Sequence, residues 1–368
     1  MIKYIFFNLR NLLIKIPSFY YTLPNRNSLI IFDDINSKYI KSSIDYKHTY
    51  EIKFRNKQVN FFAFFYALFF FYRSNFKIEY INFFIKKSKI KILITSNFNR
   101  LIVYQIKLYY PEIKVIVIQN GSFGNEFIFK LKKSAYKNFI CDFFLCFSDL
   151  EKKKIKKIIK AEFIILGSLK NNLYKINNNY KKEQVLYISQ YRKELLSNPS
   201  VKPIYETEKL LLPIVLNFCI KKNLKLVILP GEEDSINQKT HYENLLKSKN
   251  FFFYKRNLNK SYQRVDKSLF SINIDSSLGF EALSRHNKVG FFNFFAYKEK
   301  SFNSLSFSKK AGTFYIGFYN KKKINDILEY LYTSDDKVWK NKNFDKLNFI
   351  PYVKNNSKLN MILQNLLN

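Results

Sequence analysis

The chain has 368 residues, of which 47% are apolar and 18% aromatic; this excludes a mainly disordered polypeptide and suffices for two domains that each bury a core. Lys and Arg number 63 against 28 Asp and Glu, a formal charge of +35, but only nine of the cations are Arg. Arg is the better fork for phosphates and base edges, and the abundance of Lys, Asn, Ile, Phe and Tyr follows A/T-rich codon usage, so specific nucleic acid is not an expected partner. Cys141, Cys146 and Cys219 are too few for a disulfide framework and fit a reducing, cytoplasmic setting; His48, His241 and His286 lie far apart and form no Cys/His cluster, so no metal site is expected.

Residues 1–21 mix apolar side chains with Lys3, Arg10 and Lys15 and lack the apolar core and small-residue cleavage site of a signal peptide. Short apolar runs at 28–32, 90–95, 113–119, 142–147 and 163–166 predict strands, with a helix over 99–108 closed by Pro111. The run 61–72 (FFAFFYALFFFY) is too short for a span of about 20 residues. It reads as a helix that is buried or lies against a membrane or partner. Ser148 caps the basic run 152–160, where Ile155, Ile158 and Ile159 recur at helical spacing. That pattern predicts one amphipathic helix, with a solvated face or peripheral contact with an inner membrane as its two uses.

The Asn-rich segment 171–182 is read as a linker. Beyond it, strands are predicted at 184–189, 224–229, 251–254, 269–274 and 288–292. Helices are predicted at 205–221 (with a kink at Pro213), 241–248, 278–285, 323–332 and 358–367. Strands alternating with helices give an α/β fold: two Rossmann-like, doubly wound domains facing a cleft. The expected division is 1–175, 176–340 and a helical tail at 341–368.

The most informative stretch is Asp275-Ser276-Ser277-Leu278-Gly279-Phe280-Glu281-Ala282, where a buried strand meets a helix. Ser276 and Ser277 present hydroxyls. Unpaired amides near Leu278 and Gly279 would join the helix dipole in an anion site for a phosphate or diphosphate. Gly279 would admit a ligand close to the backbone, and Glu281 could accept from ribose or sugar hydroxyls. The same residues also make an ordinary helix cap without a ligand.

This stretch, with Lys288-Val289-Gly290-Phe291-Phe292 after it, resembles the donor region of bacterial surface-carbohydrate (lipopolysaccharide and capsule) biosynthesis proteins. These are GT-B-like proteins, distantly similar to the CDP-glycerol glycerophosphotransferases. Val115–Gly121, Asp142-Phe143-Phe144 through Ser148, Leu166-Gly167-Ser168 with Asn171-Asn172, and Leu186–Arg192 resemble further segments in the same order, over roughly residues 90–295. Arg285-His286-Asn287 departs from the glycine turn found there.

The resemblance implies a nucleotide-activated sugar bound mainly by the second domain and a glycan or glycolipid acceptor mainly by the first. The implied function is glycosyl transfer in surface polysaccharide or lipopolysaccharide synthesis. A nucleotide-sugar epimerase, a glycerophosphotransferase and a non-catalytic envelope-assembly protein are the alternatives on the same fold.

The chain has no Asp-x-Asp, so no metal or other cofactor is expected; the helix start at 276–279 with Arg192 would stabilise the leaving group. Ser189, Gln190 and Gly231 end neighbouring strands and are expected beside the donor. Gln119, Asn120 and Gly121 are expected on the acceptor side. A general base is sought in the first domain, with Glu126 and Asp142 as candidates beside Asp33 and Asp34.

Overall fold

The computed structural model describes residues 18–121, 128, 131, 133 and 138–367, other than 26–28, 33–35, 45–48, 53–57, 178, 194–196, 199–200, 232–234, 255–256, 296–309 and 348–349. The chain forms two compact units. The first comprises Met1–Asn120, Leu131–Leu173 and Val353–Asn368; the second comprises Gly121–Lys130 and Tyr174–Tyr352.

In the first unit the elements are β1 (Ser18–Tyr20), β2 (Leu29–Ile31), α1 (Ser37–Ser43), β3 (Thr49–Glu51), β4 (Gln58–Asn60), α2 (Phe61–Phe70), α3 (Phe76–Ser88), β5 (Ile92–Thr95), α4 (Leu101–Tyr109), β6 (Lys114–Ile118), β7 (Phe139–Cys146), α5 (Asp149–Ile155) and β8 (Ile159–Ile165). β1 pairs with β4 as a small separate sheet, and the other six strands form a parallel sheet in the order β3-β2-β5-β6-β7-β8. The unbroken apolar runs of β2, β5 and β6 are those of strands covered on both faces. The sheet's order reverses between β2 and β5, which makes that pair its switch point.

The basic run at 152–160 is not one helix. α5 ends at Ile155, a turn donates from the Ile158 amide to the Ile155 carbonyl at 2.8 Å, and β8 opens at Ile159. Ile155 and Ile159 are both buried, one from a helix end and one from a strand start. Five residues of sequence do not distinguish that arrangement from a helical stripe. Ser148 does cap α5, accepting from the Glu151 amide at 3.3 Å.

The second unit contains β9 (Gln184–Ile188), α6 (Lys202–Lys221), β10 (Lys225–Leu229), α7 (Ser235–Leu246), β11 (Phe252–Phe253), α8 (Leu258–Asp266), β12 (Ser268–Asn273), α9 (Ser277–Ser284), β13 (Val289–Phe292), β14 (Tyr315–Ile316), α10 (Lys321–Thr333) and α11 (Asp336–Leu347). All six strands are parallel, in the order β11-β10-β9-β12-β13-β14. Counted from β9, this is the 3-2-1-4-5-6 order of a dinucleotide-type fold, with its switch point between β9 and β12.

Where a glycine turn was expected, Arg285-His286-Asn287 builds a different one. His286 takes a left-handed φ of 62°. Buried Arg285 pairs bidentately with Asp266, at 2.8 and 2.5 Å, and donates to the carbonyls of Tyr174 and Lys175 at 2.9 and 3.1 Å.

After the second unit the chain returns to the first as α12 (Ser357–Leu367). Leu359, Ile362 and Leu363 enter the core formed by Leu29, Ile31, Ile94 and Ile118, so the C-terminal segment is part of that core rather than a free tail. The start of the Asn-rich segment belongs to the same unit. Buried Asn172 donates to the Leu166 carbonyl at 2.9 Å and to Asn356 Oδ1 at 2.8 Å, and accepts from the Val353 amide at 2.9 Å. Among the described residues no helix is long and apolar enough to cross a membrane.

Candidate functional site

Ligands of open parallel sheets bind at the carboxyl ends of strands beside the switch point. In the second unit those ends carry the loop after β9 (Ser189, Gln190, Tyr191, Arg192), the turn after β10 (Pro230, Gly231) and the turn after β12 (Asp275, Ser276, opening α9). A bond ties the loops on either side of the switch point together: the Asp275 amide donates to Gln190 Oε1 at 2.8 Å. Beyond Gln190 lies Arg192, whose backbone is held at both ends by the Tyr205 hydroxyl, at 3.3 and 3.1 Å. Its side chain is exposed and makes no ion pair among the described residues. Ser277, beyond Asp275, is exposed as well.

Several expected ligand contacts are instead internal supports. A Cβ at Gly279 would lie 2.3 Å from Asn273 Cγ, so the fold itself requires a glycine there. That Asn273 side chain accepts from the Ser276 amide and donates to the Ser276 carbonyl, both at 3.2 Å. The Leu278 amide donates to Ser276 Oγ at 3.4 Å and the Gly279 amide to the Ser276 carbonyl at 3.1 Å, so these two amides are not the free donors expected. Glu281 is buried and accepts from the Tyr262 hydroxyl at 2.8 Å. Gly231 makes room for the neighbouring loop: a Cβ would stand 2.9 Å from the Ser189 carbonyl oxygen. Ser189 is buried, its Oγ 2.6 Å from the Tyr242 hydroxyl and accepting from the Tyr191 amide at 3.1 Å.

A second group at the same strand ends was not anticipated from the sequence. Buried Glu208, on α6, accepts through Oε1 from the hydroxyls of Tyr187 (2.7 Å) and Tyr242 (2.6 Å). Its Oε2 lies 3.3 Å from Nε2 of His241, on α7. The imidazole stacks on Tyr191, with ring centroids 3.9 Å apart. Burial, reinforced by the Glu208 charge, holds both phenols well above the usual tyrosine range, so they stay protonated donors. A proton on Nε2 faces the carboxylate and leaves Nδ1 as an acceptor, the arrangement in which a carboxylate orients a histidine for proton transfer. A signal for Glu208 was present: it lies three and four residues before Leu211 and Leu212, on the apolar face of a long helix.

In the first unit, Asp142 and Gln119 make internal structural contacts. Asp142 pairs with Lys107 at 3.0 Å and Lys114 at 3.4 Å and accepts from the Val115 amide at 2.8 Å. Lys114 and Val115 open β6, so Asp142 sits toward the amino end of that strand, away from the ligand end, and is no base candidate. Gln119 is buried; it accepts from the Phe147 amide at 2.9 Å and donates to Glu151 at 2.8 Å, tying β6 to β7 and α5 rather than facing a ligand. Asn120 is exposed, and a Cβ on Gly121 would meet open space. Glu126, Asp33, Asp34 and Glu232 lie outside the described residues. Among the described residues no three His, Cys, Asp or Glu side chains form a metal-ligand set.

Among curated proteins no sequence matches the chain. Solved structures match the whole fold. A protein from Listeria monocytogenes assigned as UDP-N-acetylglucosamine 2-epimerase superposes with a TM-score of 0.55 at 11% identity, over 90% of this chain and 93% of that one. A glycosyltransferase from Rickettsia africae gives 0.53 at 11%, over 93% and 99%. S. aureus MnaA, solved with UDP, gives 0.50 at 13%, over 89% and 92%. At these identities the likeness establishes a GT-B-like fold of two Rossmann-like domains. A family model of O-antigen biosynthesis proteins matches residues 116–367, well over half of the sequence, and the chain belongs to that family.

Proposed function

We propose that the protein transfers a sugar from a nucleotide-linked donor to a glycan or glycolipid acceptor in surface-polysaccharide synthesis, with the donor held at the switch point of the second unit. The observation that carries this reading is the Gln190–Asp275 bond, which joins two loops that also carry the exposed side chains of Arg192 and Ser277. A diphosphate placed there meets a guanidinium and the opening of α9, both suited to the charge that builds up as the glycosidic bond breaks. With no Asp-x-Asp in the sequence, we assign leaving-group stabilisation to Arg192 and the dipole of α9 and expect no metal or other cofactor. Ser276 shapes the turn as the cap of α9.

His241, oriented by Glu208, supplies a proton acceptor at the same strand ends. This placement also suits a nucleotide-sugar epimerase, because a proton-transfer pair in the donor-binding unit acts on the donor itself. Analysis of products from a labelled UDP-sugar, with and without a glycan acceptor, separates the two. An epimerised free nucleotide sugar formed without acceptor sinks the transferase reading. Calorimetric titration with UDP and CDP tests the donor site itself: failure of both to bind removes it.

A further inference from the structure

Independently of the donor site, we propose that α2 docks the protein onto an anionic phospholipid bilayer. α2 is apolar at all ten positions (FFAFFYALFF), yet only Ala63, Phe64 and Ala67 are buried. Phe62 is 43% exposed, Phe65 39%, Phe69 70% and the following Tyr72 69%. Spaced by three, four and three residues, these four side chains form one stripe along a helical face. Tyr21, also exposed, extends it, its ring 5.3 Å from Phe61 and 6.3 Å from Phe62. Aromatic surface of this extent on a soluble face marks a binding surface.

The stripe is not the by-product of a loosely held helix. Buried Asn60 caps α2, accepting from the Ala63 amide at 3.1 Å. The same residue donates from its side chain to the Thr22 carbonyl and from its amide to the Tyr80 hydroxyl, both at 2.8 Å. On the flank toward α3, the Tyr66 ring packs at 4.6 Å from Phe70 and 5.6 Å from Phe83.

Charge selects the occupant. Between β4 and β5 the chain exposes Arg73, Lys77, Lys86, Lys87, Lys89 and Lys91. The one acid in that stretch, Glu79, is buried and bonded to Ser74 and Asn82. The Arg73 guanidinium lies 4.5 Å above the Phe70 ring, and Lys86 Nζ donates to the Tyr66 hydroxyl at 3.2 Å. Aromatic rings with long cationic side chains beside them match the headgroup boundary of a bilayer, where the rings enter and the cations meet lipid phosphates. Ten residues fall well short of the roughly 20 needed to span, so α2 would lie in the interface. A second copy of the chain would bring the same cations face to face across an isologous contact. The lysines of α5 are a poorer anchor, because Lys153 and Lys154 pair with Asp149 and Glu151.

Flotation of the full-length protein with vesicles tests this. Wild type should float with phosphatidylcholine–phosphatidylglycerol vesicles, much less with phosphatidylcholine alone, and less as salt is raised. The double variant Phe69→Ser/Tyr72→Ser should lose about tenfold or more in partitioning, from the apolar area withdrawn. Lys77→Glu/Lys87→Glu, which leaves the aromatic stripe intact, should lose binding to anionic vesicles as well and decides the matter if the first variant fails to fold. Lys153→Ala/Lys154→Ala on α5 should float like wild type. Failure of wild type to float, flotation of the stripe variant at the wild-type level, loss in the α5 variant alone, or self-association in place of flotation would each overturn the proposal.

Discussion

The two parallel sheets end in different ways at their switch points. In the first unit several polar groups there bond to one another, while Asn99, in the loop after β5, is exposed. Asn36 donates to Ser96 Oγ at 2.6 Å, and Thr95 and Asn97 both donate to the Phe32 carbonyl, at 2.7 and 3.0 Å, all of them buried. In the second unit the Asp275 amide donates to Gln190 across the switch point, while Arg192 and Ser277 are exposed and His241 stands against a buried carboxylate. Topology alone marks both places as ligand ends. The hydrogen-bond pattern separates them: at the first end buried groups tie β2 to β5, which suits support, and at the second an exposed guanidinium beside the opening of a helix suits an anionic ligand.

Replacing one buried polar support in each unit should break this comparison most visibly. Glu208→Ala leaves two buried phenols without an acceptor and should cost about 2–5 kcal/mol in denaturant unfolding, with nucleotide binding lost. Gln119→Leu, in the first unit, should cost about 1–3 kcal/mol and leave nucleotide affinity unchanged. Weaker nucleotide binding in the Gln119 variant would erase the distinction.

Gly279→Ala probes whether that glycine serves the fold or a ligand. The clash with Asn273 should cost about 1–3 kcal/mol, and much of that should return in Asn273→Ala/Gly279→Ala. A stable single variant with weakened nucleotide binding would restore the ligand role.

A smaller effect concerns pH and both units at once. Burial pushes the thiols of Cys146, in the first unit, and Cys219, in the second, up to about 12. Unfolded, they ionise near about 8.5, so stability is fully present below that pH and falls as pH rises past it. Melting temperatures at rising pH should therefore drop less steeply in Cys146→Ala/Cys219→Ala than in wild type; parallel slopes would contradict the assignment.

Much of the fold was legible because its central strands are mostly apolar and short: β5, β6, β9, β10 and β12 lie within a residue or two of their predicted positions. What escaped was short or mixed in character. β1, β3 and β4 have three residues each, with polar side chains among them, and only pairing with a neighbour makes them strands. α3 carried a readable cap, with Asn75 accepting from the Ile78 amide, that went unread.

At the site, sequence placed the turn after β12 but did not show the internal contacts that Gly279 and Glu281 make. Gly279 and Glu281 look like ligand groups until Asn273 and Tyr262 occupy the space beside them. Glu208 and His241, 33 residues apart, meet only because α6 and α7 pack at the ends of adjacent strands.

The most direct test is calorimetric titration of UDP and CDP into wild type, Arg192→Ala and Ser277→Ala. The two side chains are exposed, so each substitution should change stability by no more than about 0.5 kcal/mol. The donor-site assignment predicts that at least one nucleotide binds wild type with one-to-one stoichiometry, and that Arg192→Ala weakens it about tenfold or more, as expected for a charge-assisted phosphate contact. Binding of neither nucleotide, or equal affinity in all three proteins, would contradict it.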